Sequence, residues 1–177
     1  MDGPLRLQVV KAEDLSAEDR ASVLTLCSQA YEGDFEPFPR TFRGATHVLG
    51  RRAGRLVSHA LWVTRWLQVD SLPPMRTAFV EAVATAEAYR GRGFATAVMQ
   101  RLAASIGDFD LGALSPADYG LYLRLGWEQW RGPLSIRTVD GLLATPDDEV
   151  MILRLPRTPL LDLDAPLSAE WREGELF

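Results

Sequence analysis

The chain has 177 residues, 47% of them apolar and 24% charged, with a net charge of −5. That is about one domain's worth of chain with enough apolar matter for one core, and it excludes a disordered or fibrous design. No apolar run reaches the ~18 to 20 residues that a membrane-spanning helix needs. The opening Met1-Asp2-Gly3-Pro4-Leu5-Arg6 does not read as a secretory leader, so a cytoplasmic protein is expected, with no membrane partner. An acidic balance without clustered Lys and Arg speaks against a nucleic-acid partner and suits a cationic one. Cys27 is the single cysteine and His47 and His59 the only histidines, which leaves no internal disulfide and no zinc-ligand cluster, so no metal is expected. Cys27 falls in an apolar helical stripe and reads as inert core. Both histidines fall on strands and read as satisfied structural residues.

In chain order, Leu5 to Lys11 alternates as a strand does, and Ser16 followed by Glu18 and Asp19 gives the start signal of a helix over Ala17 to Tyr31, with Val23, Leu24, Cys27 and Ala30 at helical spacing. Glu32 to Ala45, rich in proline, glycine and aromatics, predicts an irregular loop. Thr46 to Arg52 and Leu56 to Val69 predict a hairpin turning through Arg52-Ala53-Gly54-Arg55. After a break at Ser71 to Met75 come a strand at Arg76 to Thr85, a helix at Gly93 to Ile106, a buried strand at Leu111 to Ser115 and a helix at Ala117 to Leu125. Strands at Ser135 to Val139 and Val150 to Leu155 complete the sheet. The expectation is a single mixed α/β domain over residues 1–177, with a functional tail over Pro156 to Phe177.

The chemistry concentrates where the strand containing Phe79-Val80-Glu81-Ala82-Val83-Ala84-Thr85 runs into Tyr89-Arg90-Gly91-Arg92-Gly93-Phe94-Ala95-Thr96. Glycines let the backbone approach a ligand, and the free N–H groups that open a helix, beside two arginines, make an anion site suited to a pyrophosphate. Such a turn also occurs in nucleotide-binding folds and in plain connections. The stretches Leu111-Gly112-Ala113-Leu114-Ser115 and Tyr122-Leu123-Arg124-Leu125-Gly126-Trp127 narrow the choice.

Arg90-Gly91-Arg92-Gly93-Phe94-Ala95 resembles the acetyl-CoA pyrophosphate loop of the GNAT superfamily of N-acetyltransferases, and Tyr122 to Trp127 resembles its second hallmark. The resemblance extends to the aminoglycoside 2′-N-acetyltransferases through Gly33-Asp34-Phe35, Val80-Glu81, Val83-Ala84, Leu111-Gly112-Ala113-Leu114-Ser115, Thr145-Pro146-Asp147-Asp148 and the ending Trp171-Arg172-Glu173-Gly174-Glu175-Leu176-Phe177. It implies a GNAT fold, with a mixed, mostly antiparallel sheet flanked by helices and splayed between the strands at 76–85 and 111–115. It also implies acetyl-CoA as cosubstrate, an aminoglycoside as acceptor, a homodimer, and a resistance role through inactivation of the antibiotic.

Residue by residue, the resemblance makes Glu81 a general base acting through water, Tyr122 the general acid and the backbone N–H near Val83 the oxyanion donor. It assigns cofactor binding to Val83, Ala84, Thr85, Arg90, Gly91, Arg92, Gly93, Phe94 and Ala95. The acceptor falls to Asp34, Glu81, Ala82, Ser115, Asp147, Asp148, Glu175 and the carboxylate of Phe177. Plain readings stand beside these: a strand carboxylate paired with an arginine for Glu81, a packing aromatic for Tyr122 and a solvated turn for Asp147 and Asp148. Phe35, Phe38, Trp130 and Trp171 line either an acceptor pocket or the core.

Pro39, Arg40 and Phe177 depart from the family pattern by trimming its acidic rim, which suggests a smaller or differently charged amino sugar such as kasugamycin rather than a gentamicin-like compound. The alternatives are a GNAT enzyme for another amine such as a polyamine, and a non-catalytic acyl-CoA-binding module. The segment Leu61 to Trp66 is a candidate dimer face.

Overall fold

The computed structural model describes residues 3–31, 43–173 and 177. They form two compact units, Met1–Val63 with Val80–Ser105, and Thr64–Phe79 with Ile106–Phe177. The α/β architecture expected from the sequence is the one the chain adopts.

In the first unit, β1 (Arg6–Lys11), β2 (Thr46–Arg52) and the first part of β3 (Arg55–Val69) run antiparallel. The β2–β3 turn holds Ala53 and Gly54 at φ 49° and 81°, the left-handed pair of a two-residue hairpin whose twist matches that of its strands. Between Gly50 and Arg51 the register shifts by a bulge, beyond which Leu49 pairs with His59 and His47 with Leu61. Helix α1 (Ala17–Tyr31) starts where Ser16 Oγ accepts the Asp19 N–H at 3.0 Å. Asp19 also accepts from Arg51, tying the helix start to β2. The buried side of α1 is Val23, Leu26 and Cys27: Val23 and Cys27 belong to the expected stripe, Leu26 joins them, and Leu24 and Ala30 are only half-buried. Helix α2 (Phe94–Ser105) buries Val98, Met99 and Leu102, and the last part of β4 (Met75–Thr85) completes the unit.

The second unit takes the remaining parts of β3 and β4 and adds β5 (Leu111–Leu114), α3 (Tyr119–Arg124), β6 (Glu128–Gln129), β7 (Leu134–Thr138), β8 (Gly141–Ala144), β9 (Met151–Arg154) and β10 (Leu167–Glu170). The strand order is β6-β9-β5-β4-β3-β10-β7-β8. β10 is antiparallel to β3 and parallel to β7, so the tail beyond Pro156 supplies a strand that the sequence pattern did not show. Its Glu170 carboxylate accepts the Trp66 N–H at 3.0 Å, and its main-chain oxygen accepts from Arg65 at 2.7 Å. Arg65 is 1% exposed. Its guanidinium lies 5.1 Å from the Phe79 ring and 6.0 Å from that of Phe177, so aromatic faces and acceptors together compensate a buried charge. In the segment Leu61 to Trp66, only Thr64 and Trp66 face solvent, which leaves a narrower apolar surface there than the sequence suggests.

The tail is anchored before it pairs. Trp130 Nε1 donates to Ala165 O at 2.9 Å, Gly132 N donates to Leu163 O at 2.9 Å, and Arg131 forks onto Asp164 at 2.7 and 2.6 Å. A Cβ on Gly132 would stand 1.9 Å from Ala165 O, so no side chain fits without moving backbone. Gly132→Ala is therefore expected to lower the unfolding free energy by about 2 kcal/mol, read from the urea midpoint. Arg131→Ala, which removes an exposed ion pair, should cost less than about 1 kcal/mol. Equal effects would contradict this account of the anchor.

Candidate active site

Glu81 is half-buried near the end of β4, and the next residue, Ala82, has φ 52°. This left-handed conformation costs a non-glycine residue about 1 kcal/mol or more, and it persists only where the surroundings impose it. Here three successive carbonyls are engaged by side chains. Ala82 O lies 2.8 Å from His59 Nδ1, Val83 O accepts from Tyr31 Oη at 2.7 Å, and Ala84 O accepts from Ser58 Oγ at 3.2 Å. Ser58 Oγ also lies 2.9 Å from Thr85 Oγ1.

The histidine pair behind the first of these contacts has its protons assigned by its partners. A carbonyl only accepts, so His59 Nδ1 carries a hydrogen. Burial, then the neighbouring His47, pushes the His59 pKa down to about 3, so the ring is neutral and Nε2 is an acceptor. His47 Nδ1, at 2.9 Å from that Nε2, is then the donor. Burial and the charge of Arg20 take the His47 pKa down to about 4. Cys27 Sγ lies 3.8 Å from His59 Nδ1, and burial pushes its thiol up to about 12, which makes it the inert core residue the sequence suggested.

The glycine-rich loop follows a 3-10 turn at Glu87–Tyr89. Gly91 and Gly93 stand at φ 73° and 77°, and a Cβ on either would meet nothing within 4 Å. The need for glycine there is conformational, and the space beside the backbone is open. Arg90 Nε donates to Thr85 O at 3.3 Å, while Arg92 lies over the Tyr89 ring and Arg52 over that of Phe94. The main-chain bond from Ala97 N to Gly93 O opens the ladder of α2, so the N–H groups of Phe94, Ala95 and Thr96 precede it, and the first turn holds no acid. Open backbone, orphan donors, the helix dipole and nearby arginines fit a diphosphate.

In the second unit Asp118 caps α3 by accepting from Gly120 N at 3.1 Å. Tyr122 on this helix packs edge-on against Trp127, with ring centres 6.2 Å apart. Burial and then the charge of Asp118 push its phenol up to about 12, so at neutral pH it holds its proton and can donate it. Ser115 Oγ donates to Glu149 O at 2.9 Å. Asp147 is exposed, and the Asp148 N–H closes the turn onto Thr145 O. The Phe177 ring is buried beside Arg65. Trp130 is core, with its indole N–H satisfied, whereas Trp171 is exposed. Asp34, Phe35, Phe38, Pro39, Arg40 and Glu175 lie outside the described residues.

Tyr31, Ser58 and the paired histidines were not assigned to the site by sequence reasoning. The bulge that aligns the histidines leaves no sequence pattern of its own. With both folded-state pKa values depressed, the unfolded chain takes up protons below about pH 6.5 while the folded chain excludes them. The stability from this pair is complete above that pH and is lost as the pH falls towards 4 and then 3. The urea midpoint is expected to drop between pH 7 and pH 4, and His47→Gln should flatten that drop by about 1 kcal/mol per pH unit. An unchanged slope would contradict the neutral pair.

Residues 11–130 match the family model described as an acetyltransferase (GNAT) domain. An aminoglycoside 2′-N-acetyltransferase of Mycolicibacterium fortuitum is 35% identical over 178 residues, covering 96% of this chain and 91% of that protein. Among solved structures, the Escherichia coli GNAT family N-acetyltransferase YhbS in complex with CoA aligns with a TM-score of 0.66 at 17% identity, over 98% of this chain and 93% of that one. The chain spans about a third of the length of several other structures it matches. One is Eis1 from Mycobacterium abscessus, with a TM-score of 0.62 at 18% identity over 75% of this chain and 32% of that one. The chain belongs to the GNAT family of acetyltransferases.

Proposed function

We propose that the protein transfers the acetyl group of acetyl-CoA to the 2′-amino group of an aminoglycoside, inactivating the antibiotic. The observation that carries this reading is the near full-length likeness to the Mycolicibacterium fortuitum aminoglycoside 2′-N-acetyltransferase. The anion-binding geometry of the loop and the shape of β4 support the acyl-transfer step. In this reading Val83, Ala84 and Thr85 line the acetyl and pantetheine end of the cosubstrate, and Arg90 to Ala95 hold its diphosphate.

An ammonium cannot attack, so Glu81 takes a proton from the amine through a water molecule. The neutral nitrogen then forms a bond to the thioester carbonyl carbon. The carbonyl oxygen gains negative charge, and the Val83 N–H stabilises it. As the carbon–sulfur bond breaks, Tyr122 gives its proton to the departing thiolate, and the nitrogen, made cationic by the attack, gives up its second proton, which restores the phenol and leaves a neutral amide. Asp34, Glu81, Ala82, Ser115, Asp147, Asp148, Glu175 and the terminal carboxylate of Phe177 hold the polycationic acceptor. Pro39, Arg40 and Phe177 tilt the preference towards a smaller amino sugar of the kasugamycin type. The same reading includes a cytoplasmic homodimer, with exposed Trp66 available to its surface.

The test is thiol release from acetyl-CoA against kasugamycin, 2′-amino aminoglycosides, their 2′-hydroxyl counterparts and spermidine. Turnover confined to 2′-amino compounds is expected. Turnover on spermidine alone would overturn the substrate, and none on any amine despite CoA binding would favour the non-catalytic module. Glu81→Gln should lower kcat by about 100-fold and Tyr122→Phe by about 10-fold or more, with CoA affinity unchanged. A loss of CoA affinity without a selective loss of rate would remove these roles.

A further inference from the structure

The side-chain hold on β4 bears on how the oxyanion donor is aimed. A trans peptide is planar, with its C=O and N–H pointing in opposite directions. The carbonyl of Ala82 and the N–H of Val83 belong to one such plane. Whatever fixes the Ala82 oxygen therefore fixes the direction of the Val83 hydrogen.

That oxygen is bound by His59 Nδ1 at 2.8 Å, on a ring that is fully buried. The carbonyl, which can only accept, sets the ring's proton on Nδ1, and the bare Nε2, 2.9 Å from His47 Nδ1, accepts from that nitrogen. His47 itself is 2% exposed. Resting on the reading of Val83 as oxyanion donor, we propose that His59, backed by His47, is a positioning residue: it holds the Ala82–Val83 peptide so that the Val83 N–H points away from the histidine ring and towards the acetyl carbonyl.

The observations support this over simple packing in three ways. The carbonyl held is the one sharing a plane with that N–H. It belongs to Ala82, whose φ of 52° gives the strand no intrinsic reason to keep this orientation. The next carbonyl, of Val83, is held independently by Tyr31 at 2.7 Å, so both peptides flanking the Val83 α-carbon are fixed by side chains. A hydrogen bond to the Ala82 oxygen also polarises the peptide and makes its N–H a stronger donor.

The experiment compares wild type, His59→Leu, which removes the donor, and His59→Asn, whose side-chain N–H can stand where Nδ1 does. For each, kcat, KM for acetyl-CoA, CoA affinity and the infrared carbonyl stretch of bound 13C-acetyl-CoA are measured. In wild type a shift of that stretch to lower frequency is expected on binding. His59→Leu should lose the shift and at least tenfold in kcat, with KM and CoA affinity within about twofold of wild type, and His59→Asn should recover most of both.

Retention of shift and kcat in His59→Leu would overturn the positioning role while leaving Val83 as donor. Equal loss in His59→Asn and His59→Leu, with CoA binding intact, would overturn it as well. Absence of the shift in wild type would overturn the Val83 reading and this one with it. Should the leucine variant not fold, 15N spectra of the wild-type histidines decide. Protonation of His59 at Nδ1 with a bare Nε2 supports the proposal, and protonation at Nε2 overturns it.

Discussion

The peptide between Ala82 and Val83 is the element on which the rest depends. β-Strands keep their amides in register with their neighbours, and a strand that must instead turn one amide towards a ligand has to leave that register somewhere. Ala82 has a left-handed φ near the end of β4, next to the amide proposed to face the thioester. Three carbonyls in a row there, those of Ala82, Val83 and Ala84, take side-chain partners, and a carbonyl so held is fixed in direction. The partners are His59, Tyr31 and Ser58. The histidine that takes the Ala82 oxygen is kept neutral by burial, so it contributes a fixed donor without adding a charge beside Glu81.

Charge is divided along the chain in a way that suits two ligands of opposite sign. The chain is acidic overall, yet the turn into α2 carries Arg90 and Arg92 with no acid in the first turn of the helix. A diphosphate gains from orphan amides and guanidinium groups at that turn. Under the proposed function, a polycationic acceptor gains from carboxylates on loops and tail. Tyr122 is shifted in the direction that keeps its phenol protonated at neutral pH.

Much of this was legible in the sequence, and the exceptions have physical causes. Ser16 and the acids after it mark the start of α1 because capping is local chemistry. The glycine-rich turn is legible because Gly91 and Gly93 take conformations that few other residues tolerate. β6, only two residues long, was missed, and so were β8 and β10. All four residues of β8 are exposed and carry no alternation, and β10 gains its partners β3 and β7 only through tertiary pairing. The histidine pair was invisible for a subtler reason. Continuing the turn's register, with Arg52 opposite Arg55, would set His47 opposite Ala60 and send the two rings to opposite faces. The bulge at Gly50 and Arg51 shifts the pairing by one, puts His47 opposite Leu61 and brings the rings together diagonally.

The measurement that tests the central claim most directly is the Val83 amide proton in 15N-valine-labelled protein, followed by NMR as acetyl-CoA or free CoA is added. A donor to the thioester carbonyl should move downfield with acetyl-CoA and much less with CoA, which lacks that carbonyl. A Val83 amide that stays in place with acetyl-CoA, or moves equally with both, would contradict the claim that this peptide is aimed at the acetyl group.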